Sequence, residues 1–148
     1  MIVQAIVSAL AIFASTALLK ISIGALGYIS LCDGFIVIML SKQKPSIAML
    51  IAAVSCVAAD YLNGYGYYAL ATLIIKGMIG FLAASLKGKN EKYSFLTVFI
   101  TLAGYGIYDW ILYHSASYLK LSLCYNLLQS IISALLIALY RYIVKKRG

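Results

Sequence analysis

The chain has 148 residues, of which 64% are hydrophobic and only 11% charged. About a quarter of an average soluble sequence is charged, so a water-soluble core is excluded and the class is membrane. The net charge of +8 would suggest nucleic acid in a soluble protein, but the basic residues flank apolar runs, which is a topology signal instead.

The first apolar run, Ile2–Leu19, has no basic residue before Lys20 and reads as a retained helix rather than a secretory signal. Within it Ala5 and Ala9 form a small-xxx-small face, a spacing that lets helices approach closely. The second run, Leu31–Leu40, is short: ten residues rise only about 15 Å as a helix. It crosses a bilayer only if Leu26–Ser41 is included or if its neighbours shield it. Pro45 suits the first turn of the third helix, Ser46–Leu62, where no backbone donor is needed. The fourth (Tyr67–Leu86), fifth (Tyr93–Tyr113) and sixth (Leu119–Val144) meet the roughly 20 residues that a ~30 Å hydrocarbon core requires. With no repeat or linker, the expectation is an all-α integral membrane protein, a bundle of six transmembrane helices forming one domain over residues 1–148.

Six crossings with the N-terminus inside put Lys42, Lys44, Lys87, Lys89, Lys92, Arg141, Lys145, Lys146 and Arg147 on the cytoplasmic side. Only Lys20 and Lys120 then lie outside, and Lys76 falls within a helix. Five crossings would destroy this asymmetry, so both termini are expected to be cytoplasmic.

On this topology Asp33, Asp60, Asn63, Asp109, His114 and Asn126 fall near the outer ends of their helices, with Gln129 one turn below Asn126. Tyrosines and Trp110 occupy the same level. An interfacial belt accounts for part of the aromatics, but not for the acids, since intramembrane carboxylates are costly and mark sites or pathways. Polar residues also recur at helical spacing: Ser94, Thr97, Thr101, Tyr105 and Tyr108/Asp109 on helix five, and Ser122, Asn126, Gln129 and Ser133 on helix six. Helix four carries Tyr68, Thr72 and Lys76, and helix three Cys56, Asp60 and Asn63. Interhelical hydrogen bonding would explain the small hydroxyls; converging stripes with a polar outer end describe a cavity open to the outside. Lys76 is the most costly residue, at about 2.5–3.5 kcal/mol for mid-membrane insertion. Its ammonium reaches outward, with Asp109 or Asp60 as the expected partner, or a ligand.

Cys32, Cys56 and Cys124 lie far apart, with no CxxC, and read as packing residues; neither metal nor cofactor is expected. No phosphate-binding G-x-x-x-x-G-K-[ST] loop and no catalytic motif appears, and His114 has no nearby nucleophile, so the chain reads as a non-enzyme.

One stretch carries a family resemblance. From Asp60 to Gly80 an acid closes helix three, a Gly/Tyr turn follows, and then comes Thr72-x-x-x-Lys76-Gly77-x-x-Gly80. This resembles the S components of energy-coupling-factor (ECF) vitamin transporters. Upstream, Gly27-Tyr-Ile-Ser-Leu-Cys-Asp33 is similar to the family's Gly-x-x-Asn-Leu-Gly-Asp entry to helix two, with Ser30 and Cys32 replacing the usual Asn and Gly. The resemblance spans roughly Gly27–Leu86. It implies a multi-pass protein of a bacterial or archaeal cytoplasmic membrane that binds a vitamin or vitamin precursor near the outer face. It also implies docking on a transmembrane coupling subunit driven by two ATPase subunits, with Ala5 and Ala9 as the docking face.

The expected substrate-binding residues are Asp33, Asp60, Asn63, Tyr68, Thr72, Lys76, Tyr105, Tyr108, Asp109, Asn126 and Gln129. Tyr68, Tyr105 and Tyr108 are expected to stack on a flat heterocycle. The competing readings are a self-sufficient small secondary transporter or facilitator using Asp60 or Asp109, and a non-transport membrane assembly protein.

Overall fold

The computed structural model describes residues 2–86 and 88–147, and it is a bundle of six α-helices. In chain order these are α1 (Ile2–Ala17), α2 (Cys32–Leu40), α3 (Pro45–Leu62), α4 (Ala69–Ser85), α5 (Ile100–Tyr113) and α6 (Ala116–Arg147). Lys87, and the side chains of Lys89 and Arg147, which the charge count sets inside, lie outside the described residues. Among the described residues, four helical segments are long and apolar enough to cross a membrane: Pro45–Leu62, Gly66–Ser85, Lys92–Tyr113 and Ala116–Lys146. Ile2–Ala17 is apolar but shorter. Large apolar side chains such as Leu50, Val54, Leu70, Ile107 and Leu135 are exposed on the bundle's outside. A bilayer is the solvent that makes such a surface stable.

Three local features differ from the expectation. The segment before helix two is a β-hairpin, β1 (Lys20–Ser22) against β2 (Tyr28–Ser30), with Ile21 opposite Ile29. Its connection includes a 3-10 turn at Gly24–Leu26 and closes through Gly27, whose φ of +89° is a conformation that L side chains rarely adopt. Secondly, α2 has nine residues and does not extend through Leu26–Ser41; of the two routes open to it, shielding is the one realised. Cys32, Asp33, Gly34, Ile36, Val37 and Leu40 are all buried, and the helix packs against α1, α4 and α6.

Thirdly, helix five is not α-helical from Tyr93. A 3-10 helix runs over Gly88–Phe99 and passes into α5. Runs of this length are uncommon because the hydrogen-bond geometry is poorer. Here α6 supplies extra partners: Arg141 donates to the Lys92 carbonyl at 3.1 Å and to Ser94 Oγ at 2.6 Å, and Ser130 donates to the Val98 carbonyl at 3.1 Å. Residues three apart eclipse in a 3-10 helix, so Ser94 and Thr97 share one buried line that continues to Thr101.

The tightest pairing is α3 with α4. Ala48, Ala52, Cys56 and Ala59 present small buried side chains along α3, and Gly80, Ala83 and Ala84 answer on α4. A Cβ on Gly80 would lie 2.6 Å from the Ala48 carbonyl oxygen and 2.9 Å from Ala52 Cβ. At Gly77 the nearest atom would be Met49 Cγ, 3.4 Å away on a flexible side chain. Gly80→Ala is therefore expected to destabilise the bundle by about 1–3 kcal/mol through overpacking against backbone. Gly77→Ala should be neutral or slightly stabilising, because alanine is the better helix former by up to about 1 kcal/mol. Thermal unfolding of the two variants in detergent compares them directly, and equal melting temperatures would show that α3 and α4 can separate at no cost.

Candidate functional site

The site is built from its floor upward. Asp33 opens the first turn of α2, where the helix N-terminus favours an anion, and its side chain is fully buried. Lys76 Nζ lies 2.6 Å from Asp33 Oδ1, with both side chains almost sealed from solvent. Thr101 Oγ1 donates to Asp33 Oδ2 at 2.9 Å, and Gln129 Nε2 donates to the same oxygen at 2.8 Å. Four elements thus meet at one carboxylate: α2, α4, α5 and α6. A buried ion pair is sustained only when further hydrogen bonds satisfy its remaining lone pairs and protons, and Thr101 and Gln129 supply them.

The partner of Lys76 is therefore Asp33, which corrects the expectation of Asp109 or Asp60. The reason is depth. Asp33 stands seven residues before the end of α2, and Lys76 nine before the end of α4. At about 1.5 Å per residue those are rises of ~10 and ~13 Å, so with the inner ends of the two helices level the two groups meet near mid-bundle. Asp33 consequently lies at mid-bundle depth rather than near the outer end where it was expected. The other two acids are engaged elsewhere. Tyr28 donates to Asp60 Oδ1, while Tyr68 and Ser122 donate to the two oxygens of Asp109.

Above this floor lies a cavity of about 40 Å³. Of the expected residues, Asp60, Tyr68, Thr72, Lys76, Tyr105, Asp109, Asn126 and Gln129 line it. Lys76 Nζ sits 5.2 Å from the centre of the Tyr105 ring, within cation–π reach. The Tyr105 and Thr72 hydroxyls share a hydrogen bond of 2.7 Å. Tyr68 packs edge-on to Tyr105, with ring centres 5.8 Å apart. Asn126 is turned by its bond to the Ser122 carbonyl, 2.9 Å.

Three expected residues stand outside the lining. Asp33 lies beneath the floor and holds Lys76 in place. Asn63 accepts from the Lys20 ammonium. Tyr108 donates to the Tyr67 carbonyl and packs its ring against Tyr68, centres 5.3 Å apart. The small face of α1 is half-buried at Ala5 and Ala9, beside an exposed stripe of Ile6, Val7 and Leu10.

The structure adds lining residues that sequence reasoning missed, chiefly Gly27, Tyr28 and Ser30 of the hairpin, Cys32 and Cys56. Cys56 was legible, because it stands four residues before Asp60 on the same helical stripe. The hairpin gave no periodic signal at three residues per strand. It is nonetheless pinned at two points: Tyr28 bonds Asp60, and the Ser30 N–H donates to Gln129 Oε1 at 2.9 Å. Burial holds the Tyr28 phenol above the usual tyrosine range, and the Asp60 carboxylate beside it pushes the same way, so it remains a donor. Gln129 thus joins the hairpin backbone to the buried ion pair through one amide. Among the described residues, no group of three His, Cys, Asp or Glu side chains could hold a metal ion.

Lys76→Met should strand the Asp33 carboxylate and cost about 3–5 kcal/mol, the usual penalty for breaking one half of a buried pair. Adding Asp33→Asn should restore most of that stability, whereas adding Asp109→Asn should not. Melting temperatures in detergent distinguish these outcomes. A double variant with Asp33→Asn no more stable than the single would mean that the pair does not carry the floor.

The comparisons bear on the whole chain. A comparison with curated proteins gives no match. The family model described as "ECF-type riboflavin transporter, S component" matches residues 1–146. A polar cavity closed by a buried ion pair within an apolar helix bundle suits a membrane-embedded substrate-binding subunit, and the chain belongs to the family of ECF-type riboflavin transporter S components.

Proposed function

We propose that the chain captures a vitamin in this cavity from the outer face of the cytoplasmic membrane and delivers it to an ATP-driven import complex. The observation that carries the reading is the cavity itself. It has aromatic walls of Tyr28, Tyr65, Tyr68 and Tyr105 above a charged floor, in a chain of this family. Tyrosine faces at this density suit a flat heterocycle. Riboflavin, the substrate in the family's name, is the first vitamin to test. The partners are a transmembrane coupling subunit and two ATPase subunits, which supply the hydrolysis for which this chain has no phosphate loop. Co-expression with a coupling subunit and its ATPases, followed by co-purification, tests this reading; an S component that never retains them would overturn it.

The distribution of basic residues supports cytoplasmic termini and an outward-facing cavity. In a cysteine-free background, Ser117→Cys should react with an impermeant thiol reagent added outside intact cells, and Lys42→Cys only after lysis. The opposite pattern would turn the cavity toward the cytoplasm and end the capture model.

The half-buried Ala5 and Ala9 flank the exposed stripe of α1, where a coupling helix could approach closely. Ala9→Leu is expected to reduce uptake while leaving binding by the isolated subunit intact. Matched losses of uptake and binding would show that this face packs only within the bundle.

A further inference from the structure

A groove of about 370 Å³ runs between the 3-10 segment and α6. Phe95 and Phe99 form one wall, and Ile131, Ala134 and Ala138 form the other. Among the described residues that line it, Arg141 is the one charged side chain, and it stands at the C-terminal end. Ile131 and Leu135 at its edge are exposed, so the groove opens toward lipid.

Its dimensions select the occupant. Ile131 and Arg141 are ten residues apart on α6, a rise of ~15 Å. Spread over that length, the volume gives a mean cross-section of about 25 Å², a channel about 5 Å wide. A helix about 10 Å across would need about 80 Å². One hydrocarbon chain, whose carbons meet their neighbours at about 3.5–4.0 Å, fills it and gives the lining atoms partners that an empty groove would deny them.

Basic groups gather at one end of the groove. Ala134, Ala138, Arg141 and Lys145 are three or four residues apart and share one face of α6. Lys92 stands three residues, one 3-10 turn, before Phe95, so the two eclipse. Its carbonyl accepts from Arg141 at 3.1 Å, which closes the two walls together at the mouth. Lys92 and Lys145 are exposed, with the Lys92 ammonium 4.9 Å from the centre of the Tyr93 ring. Segments 87–92 and 141–147 hold seven basic residues and one acid, Glu91. Lipid tails are as apolar as the groove wall, so the chain alone brings no selectivity. A basic mouth between helices selects an anionic headgroup.

We propose that this groove holds one acyl chain of an anionic phospholipid, with its phosphate at Lys92, Arg141 and Lys145. The site shares no lining residue with the vitamin cavity, so the assignment stands apart from the capture reading.

The test titrates delipidated full-length protein in detergent with dioleoyl phosphatidylglycerol or the phosphatidylcholine of the same chains, and native mass spectrometry counts the lipids retained. Wild type is expected to hold one phosphatidylglycerol about ten- to thirtyfold more tightly than phosphatidylcholine, from two lysines at about fivefold each. Lys92→Gln with Lys145→Gln should remove that preference. Ala138→Phe, which puts a ring into the groove from an exposed position, should abolish the tight site. Leu139→Phe, exposed on α6 outside the groove, should retain it. The lysine variants change only exposed positions, so they decide the matter even if Ala138→Phe fails to fold. Equal retention of the two lipids by wild type would overturn the proposal, as would a preference that survives either the lysine pair or a folded Ala138→Phe. Loss of coupling-subunit co-purification in Ala138→Phe with the lipid preference intact would make the groove a protein-docking face instead.

Discussion

An ammonium and a carboxylate 2.6 Å apart, both sealed from solvent, set the terms for the rest of this bundle. Moving either ion alone into such an interior costs several kcal/mol even after relaxation, and their attraction repays this only with further hydrogen bonds in place. Thr101 and Gln129 provide those bonds from α5 and α6. The pair therefore fixes the relative depth of four helices. It explains why the first turn of α2 is buried at the depth of Lys76. It also explains why Thr101 is buried.

The hairpin is a second consequence. A nine-residue α2 leaves the outer part of its column in the bundle without a helix. Lys20–Ser30 fills part of that space with β-structure, whose backbone groups are paired across the two strands or bonded to side chains. Gln129 accepts from the Ser30 N–H and donates to Asp33, so one amide serves both hairpin and floor. Tyr28 reaches across to Asp60 on α3. The wall of the cavity and the order of the hairpin are thus physically one problem.

Much of this was legible in the sequence because its signal is periodic. Thr72 and Lys76 are four apart, as are Thr101 and Tyr105, while Asn126 and Gln129 are three apart; each set faces inward as its spacing requires. Eight of the expected binding residues line one cavity because stripes on adjacent helices must meet when lipid surrounds them. What the sequence hid was depth. Asp33 was expected near the outer end of its helix, whereas the seven residues from it to the inner end of α2 put it level with Lys76. Asp109 was a reasonable rival by rise alone, but Tyr68 and Ser122 had already claimed it. The 3-10 stretch was equally hidden, because Ser94 and Thr97 at a spacing of three fit either helix type. Tyr28 carried no pattern at all, as a strand of three residues is too short to show one.

The floor also constrains release. Below Lys76 and Asp33 the interior is buried, with Ile36, Leu40, Ile79, Val98 and Ile137 beside the buried hydroxyls of Thr97 and Ser133. A vitamin bound above them could pass straight through to the inner side only by separating the ion pair and opening that layer together. Either step alone costs several kcal/mol, and the differential affinity of a small ligand would have to supply both. On the proposed reading, the chain by itself holds its ligand rather than conducting it. In the proposed importer, delivery then comes from moving the whole cavity relative to the bilayer, or from work done on the helices from outside. An exposed apolar stripe on α1 beside half-buried alanines is where such work can be applied without disturbing the floor, because α1 contributes no side chain to the pair. In the proposed importer this separates two tasks: α2, α4, α5 and α6 hold the charge, and α1 meets the partner.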